Sequence, residues 1–87
     1  MPDADHVARV SGKLDEEGVL SRIGLAVRER RKEKGLSQEG LADQAGLDRS
    51  HMGKIERGER NVTLLNLVRI GRALNCSVSE LLQQAEL

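Results

Sequence analysis

The sequence contains no phenylalanine, tyrosine or tryptophan. That absence excludes every site that works by stacking a base or a sugar on an aromatic ring, including the platforms of single-strand nucleic-acid binders. It leaves Leu, Ile, Val, Met and Ala to fill the interior alone, a composition that favours packed helices over a β-sandwich. A single cysteine, Cys76, excludes an internal disulfide, and the two histidines, His6 and His51, lie too far apart in sequence to form a recognised metal-ligand spacing with it. An intracellular chain without metal or cofactor is the expectation. No apolar run approaches the roughly 20 residues that cross a bilayer. The opening Met1-Pro2-Asp3-Ala4-Asp5 lacks the basic and then apolar stretch of a secretory signal, so cytoplasmic localisation with no membrane partner is expected. At 87 residues, the chain has room for one small core and not for a large enzyme.

Neither sign of charge is in excess, with 14 Lys and Arg against 14 Asp and Glu, but the two signs are unevenly placed. Residues 1–20 carry five acidic side chains and two basic ones, whereas residues 21–60 carry ten basic and seven acidic. A basic central segment suits a polyanion partner, and a solvated helix surface has the same composition. Charge by itself does not choose between them.

Periodicity supplies the elements. Residues 1–20 read as an N-terminal tail without sustained pattern. Leu20, Ile23 and Val27 then recur at spacings of three and four before the charged run Arg28 to Lys34 and Gly35, which predicts a first helix over 21–34. An earlier start, capped by Asp15 with Glu16 and Glu17 in its first turn, is compatible with the same residues. Ser37 caps a second helix over 38–45, with Leu41, Ala42 and Ala45 inward. Asp48 is placed to cap a third, over 49–57, whose inward face is Met52, Ile55 and Glu56 and which Gly58 stops. Thr63 caps a fourth over 64–74, with Leu64, Leu67, Val68, Gly71 and Leu74 at helical spacing. Ser77 and Glu80 form a capping box before a fifth over 78–84, leaving 85–87 as the chain end. No alternating β-branched run is present, so the fold class is all-α, a compact five-helix bundle.

The second and third helices are short, joined by a tight turn with Gly46 in it, and small where they cross, at Ala42 and Ala45. That is the pattern of a helix-turn-helix. In such proteins the second helix of the pair enters the major groove of DNA. Its outer residues here are Arg49, Ser50, Gly53, Lys54 and Arg57, with His51 on the flank, all polar or small. An arginine there can grip guanine O6 and N7 with two hydrogen bonds. For His51, a base or phosphate contact and plain surface exposure are both open. Catalysis has no candidate, since no nucleophile–base pair, paired carboxylates or phosphate loop is visible; the Gly53-Lys54 pair would need a glycine at Asp48 to complete one.

The stretch from Leu36-Ser37-Gln38-Glu39-Gly40-Leu41-Ala42 through Gly46-Leu47-Asp48-Arg49-Ser50 to Ile55-Glu56-Arg57-Gly58-Glu59-Arg60 resembles the Xre family of phage-repressor-type regulators, whose fold is lambda-repressor-like. Within that family it is most similar to the small stand-alone members, including the controller proteins of restriction–modification systems. The resemblance implies a transcriptional regulator of double-stranded DNA acting as a homodimer on a near-palindromic operator. It implies phosphate contacts from Ser37, Gln38, Arg60 and Asn61, base reading by Arg49, Ser50, His51, Lys54 and Arg57, and a structural ion pair of Arg31 with Glu56. It also implies a two-fold interface in the last helices, for which Leu65, Ile70, Val78, Leu81 and Leu82 are the apolar candidates. One departure is Gly40, where the family has a larger polar or acidic residue, at a cost to the second helix of up to about 1 kcal/mol. A protein-interaction module on the same fold, such as an antitoxin, is the alternative from another class. No small-molecule ligand is implied.

Overall fold

Five apolar stripes become five helices: α1 (Val19–Glu33), α2 (Gln38–Ala45), α3 (Arg49–Glu56), α4 (Leu64–Ala73) and α5 (Val78–Gln84). They come from a computed structural model that describes residues 15–87; the reading of residues 1–14 as a tail lies outside the described residues. Each boundary has a local cause. The hydroxyls of Ser37, Thr63 and Ser77 accept the N–H groups of Gly40, Asn66 and Glu80 at 2.9, 3.1 and 3.0 Å, which satisfies donors that the first helical turn leaves without partners. Glu80 returns the favour to the Ser77 N–H at 3.1 Å, and these hydrogen bonds hold its carboxyl below the ordinary carboxylate range. At the other ends, Gly35, Gly46 and Gly58 take positive φ.

Three local expectations are corrected. Helix α1 begins at Val19, after a turn closed by Gly18 at φ 68°, so Glu16 and Glu17 lie outside the helix. Asp15 still serves its first turn from a distance, accepting the N–H groups of Val19 and Leu20 at 2.9 and 2.6 Å. Asp48 occupies the N-cap position of α3, but its side chain makes no capping hydrogen bond. The inward stripe of α4 is Leu67, Ile70, Gly71 and Leu74, the i, i+3, i+4, i+7 set, while Leu64 is 71% exposed and Val68 only half-buried.

The core is a single apolar cluster whose fully enclosed side chains are Val27, Leu41, Met52, Ile55, Ile70 and Leu81, drawn from every helix. Helix α2 packs on α3 and α4, and α1 packs on α3 and α5. The α1–α3 approach depends on Gly24, since a Cβ there would collide with the carbonyl oxygens of Ile55 and Glu56. The α1–α5 contact is polar as well as apolar. Arg22 donates to the carbonyls of Ala85 and Glu86 at 3.0 and 2.6 Å, and Arg30 donates to Gln84 Oε1 at 2.7 Å, so the last residues are tied to the first helix.

Candidate nucleic-acid interface

Helices α2 and α3 are joined by three residues, and the backbone of the junction is fully specified. Gly46 at φ 72° lets the Leu47 N–H reach back to the Ala42 carbonyl at 2.8 Å while its own N–H meets Asp43 at 3.2 Å, a Schellman-type close. Leu47 packs its side chain on the core, so the turn is pinned from inside. Helix α3 then buries Met52, Ile55 and Glu56, and shows the opposite side to solvent; Gly53, expected on that outer side, is instead buried, because the side chains of Arg57 and Gln38 lie over it.

Glu56 explains why α3 holds one orientation. Its carboxylate accepts two hydrogen bonds from Arg31, Nε to Oε2 at 2.7 Å and Nη2 to Oε1 at 3.0 Å, and a third from Gln38 Nε2 at 3.0 Å. The remaining edge of Arg31 donates to the Leu36 carbonyl at 2.9 Å. Among the described residues no buried side-chain nitrogen or oxygen lacks a partner, so the network is complete. It joins α1, the entrance to α2 and the end of α3 in one rigid unit. Gln38, half-buried at the start of α2, commits one amide hydrogen to Glu56. The sequence offered no local signal for that third bond, because an interaction across 18 positions leaves no periodicity.

On the outer face, Arg49, Ser50 and Arg57 are exposed and His51 and Lys54 half-buried. Ser37, Arg60 and Asn61 are exposed on the flanks, Ser37 before α2 and the other two just beyond α3. Arg57 is not loose. Its Nε donates to Glu59 Oε2 at 3.0 Å, a bond that raises the arginine above its ordinary range and holds the glutamate below its own. Glu59 was absent from the expected site. Its signal was the spacing of two across Gly58, whose φ of 70° turns the chain back on α3.

Two of the residues expected at a two-fold interface lie elsewhere. Ile70 and Leu81 are 0% exposed and belong to the core, because the stripe of α4 runs through position 70 and α5 packs position 81 beneath α1 and α4. Leu65 is 61% exposed, while Val78 and Leu82 are half-buried at the core's edge. Among the described residues no cluster of His, Cys, Asp or Glu could hold a metal, and no helix is long and apolar enough to cross a membrane.

A family profile described as helix-turn-helix matches residues 27–81. This chain belongs to the Xre-like helix-turn-helix family. The helix-turn-helix protein is 44% identical over 82 residues to the control protein C.SmaI of Serratia marcescens, covering 94% of this chain and 88% of that one. It is 46% identical over 66 residues to the control protein C.MunI of a Mycoplasma species, covering 75% and 89% of the two chains. Among solved structures, the restriction-modification controller protein C.AhdI from Aeromonas hydrophila superimposes with a TM-score of 0.70 at 50% identity, over 71% of this chain and 94% of that one. The family consists of transcriptional regulators with double-stranded DNA as partner, not of enzymes.

Proposed function

We propose that this protein is a sequence-specific regulator that occupies a near-palindromic operator as a homodimer, in the cytoplasm, with residues 21–84 as the working unit. The observation that carries the proposal is the polar outer face of α3, held in one orientation by the buried Arg31–Glu56–Gln38 network and flanked by exposed Ser37, Arg60 and Asn61. A helix fixed in this way presents side chains to base edges without first having to order itself. Arg49, Ser50, His51, Lys54 and Arg57 read bases. Ser37, Gln38, Arg60 and Asn61 hold phosphates, which set the register and carry no sequence information. The likeness to C.AhdI, a restriction-modification controller protein, supports a controller's role for this chain.

Binding to a randomised duplex library at two salt concentrations tests this. Arg49→Ala should flatten the preference at one operator position by about 1–3 kcal/mol. Arg60→Ala should weaken all duplexes alike and lower the slope of log K against log salt by about one. The selected sites should be near-palindromes with half-sites about 34–36 Å apart. No sequence preference, with both variants behaving identically, would sink the proposal and favour a protein-interaction module.

A further inference from the structure

The base-reading roles above rest on side chains of the outer face of α3, but Arg57 is distinguished by a constructed setting. Its guanidinium lies over Gly53: Nη1 is 3.1 Å and Cζ 3.9 Å from the point where a Cβ on that glycine would sit. Gly53 is in the interior of the eight-residue α3, where glycine weakens a helix. No core contact demands it. At Gly24 and Gly71 a Cβ would strike backbone carbonyls of another segment, whereas at Gly53 the nearest atoms belong to the side chains of Arg57 and Gln38. The missing side chain makes room for the guanidinium and for the Gln38 amide of α2, not for a backbone of another helix.

The second part of the setting is Glu59, whose Oε2 takes the Arg57 Nε hydrogen at 3.0 Å with both side chains just over half exposed. Because an arginine offers five N–H donors in a rigid planar fork, fixing Nε fixes the plane and leaves the paired Nη groups as the presented edge. That edge matches O6 and N7 of guanine in the major groove.

We infer that Gly53 and Glu59 are positioning residues that preset Arg57 as a reader of guanine, Gly53 by clearing the surface on which the guanidinium lies and Glu59 by locking its plane. This inference deepens the proposed DNA reading and rests on it. A carboxylate on a DNA-facing surface also repels phosphate, so removing it tightens background binding whether or not it positions anything. Comparing two substitutions separates the effects. Glu59→Gln loses the charge but keeps an oxygen that accepts from Nε, and Glu59→Ala loses both.

The experiment is selection from a randomised duplex library with wild type, Arg57→Ala, Glu59→Gln, Glu59→Ala and Gly53→Ala, each checked for folding by thermal melting. Arg57→Ala should cut the preference for G·C at one operator position about tenfold, as expected of a lost bidentate contact. Glu59→Ala should lower preference at that same position by about threefold or more and leave other positions unchanged, while Glu59→Gln retains it. Gly53→Ala, whose added methyl meets only side-chain atoms, should melt no lower than wild type and still lose preference at that position. Both Glu59 variants should bind random duplex more tightly. Equal preference in Glu59→Ala and Glu59→Gln, at the wild-type level, would overturn the positioning role and leave Glu59 a repulsive charge only. An Arg57→Ala variant that alters no position would overturn it too. A wild type without any sequence preference would instead sink the DNA reading as a whole.

Discussion

At the scale of single residues the molecule is organised around one carboxylate. The Arg31 and Glu56 side chains are only 10% and 1% exposed, and each oxygen of Glu56 has a donor. Taking such a pair out of water costs about as much as its attraction returns, so its presence adds little net stability; removing one partner is another matter, because the other charge is then buried alone. Glu56→Ala should cost about 3–5 kcal/mol. A domain of this kind has only about 5–15 kcal/mol in total, so the variant should melt well below the wild type by circular dichroism. An unchanged urea midpoint would show that the pair is not needed. The carboxylate's place on the inward face of α3 was legible from Met52, Ile55 and Glu56 together, but its partner came only through family resemblance, since nothing local connects positions 25 residues apart. The Arg57–Glu59 bond was missed for a different reason: local rules pair residues three or four apart on a helix, and this pair forms past the helix end, where Gly58 reverses the chain.

At the scale of elements, the helices could be read because their ends are written in short side chains. Ser37, Thr63 and the Ser77–Glu80 box begin three of them, and glycines at positive φ end three. The orientation of α4 could not be read in the same way. Leu64, Leu65, Leu67, Val68, Ile70 and Leu74 cover more than half of its circumference, so periodicity marks no single face. The choice is made by what α4 packs against, and that is tertiary information. Helix α2 shows what an incomplete cap costs. Ser37 serves the Gly40 N–H, but Gly40 has no side chain to reach back to the Ser37 backbone, so the reciprocal half of the capping box is missing. Gly40→Glu supplies that half and removes a glycine from an eight-residue helix. It should raise stability by about 1 kcal/mol, visible as a melting temperature several degrees higher. A fall in melting temperature would mean that the Cβ, built 3.2 Å from the Ser37 hydroxyl, disturbs the existing cap.

At the scale of the whole molecule, the proposed two-fold interface has fewer apolar residues to draw on than the sequence suggested. With Ile70 and Leu81 inside, the surface left on α4 and α5 is Leu64 and Leu65, 71% and 61% exposed, together with the half-buried Val78 and Leu82. Leu65→Glu should therefore preserve the fold and weaken the dimer, whereas Ile70→Glu should unfold the chain. Sedimentation at micromolar concentration checks both, and a wild-type protein that runs as a monomer would remove the interface. The adjacent residues Arg30 and Arg31 have a consequence at this scale. Arg30 reaches α5 through Gln84 at 2.7 Å and Glu80 at 3.9 Å, and Arg31 reaches α3 through Glu56. One turn of α1 thus holds α5 and α3 at once, the end proposed for association and the end proposed for reading. In a pair joined through α4 and α5, α1 is the arm of a caliper whose jaws are the two copies of α3. Slack at the Arg30–Gln84 joint would be magnified at the jaws, and the fixed pitch of the duplex, about 34 Å per turn, limits how much of it the gauge can tolerate.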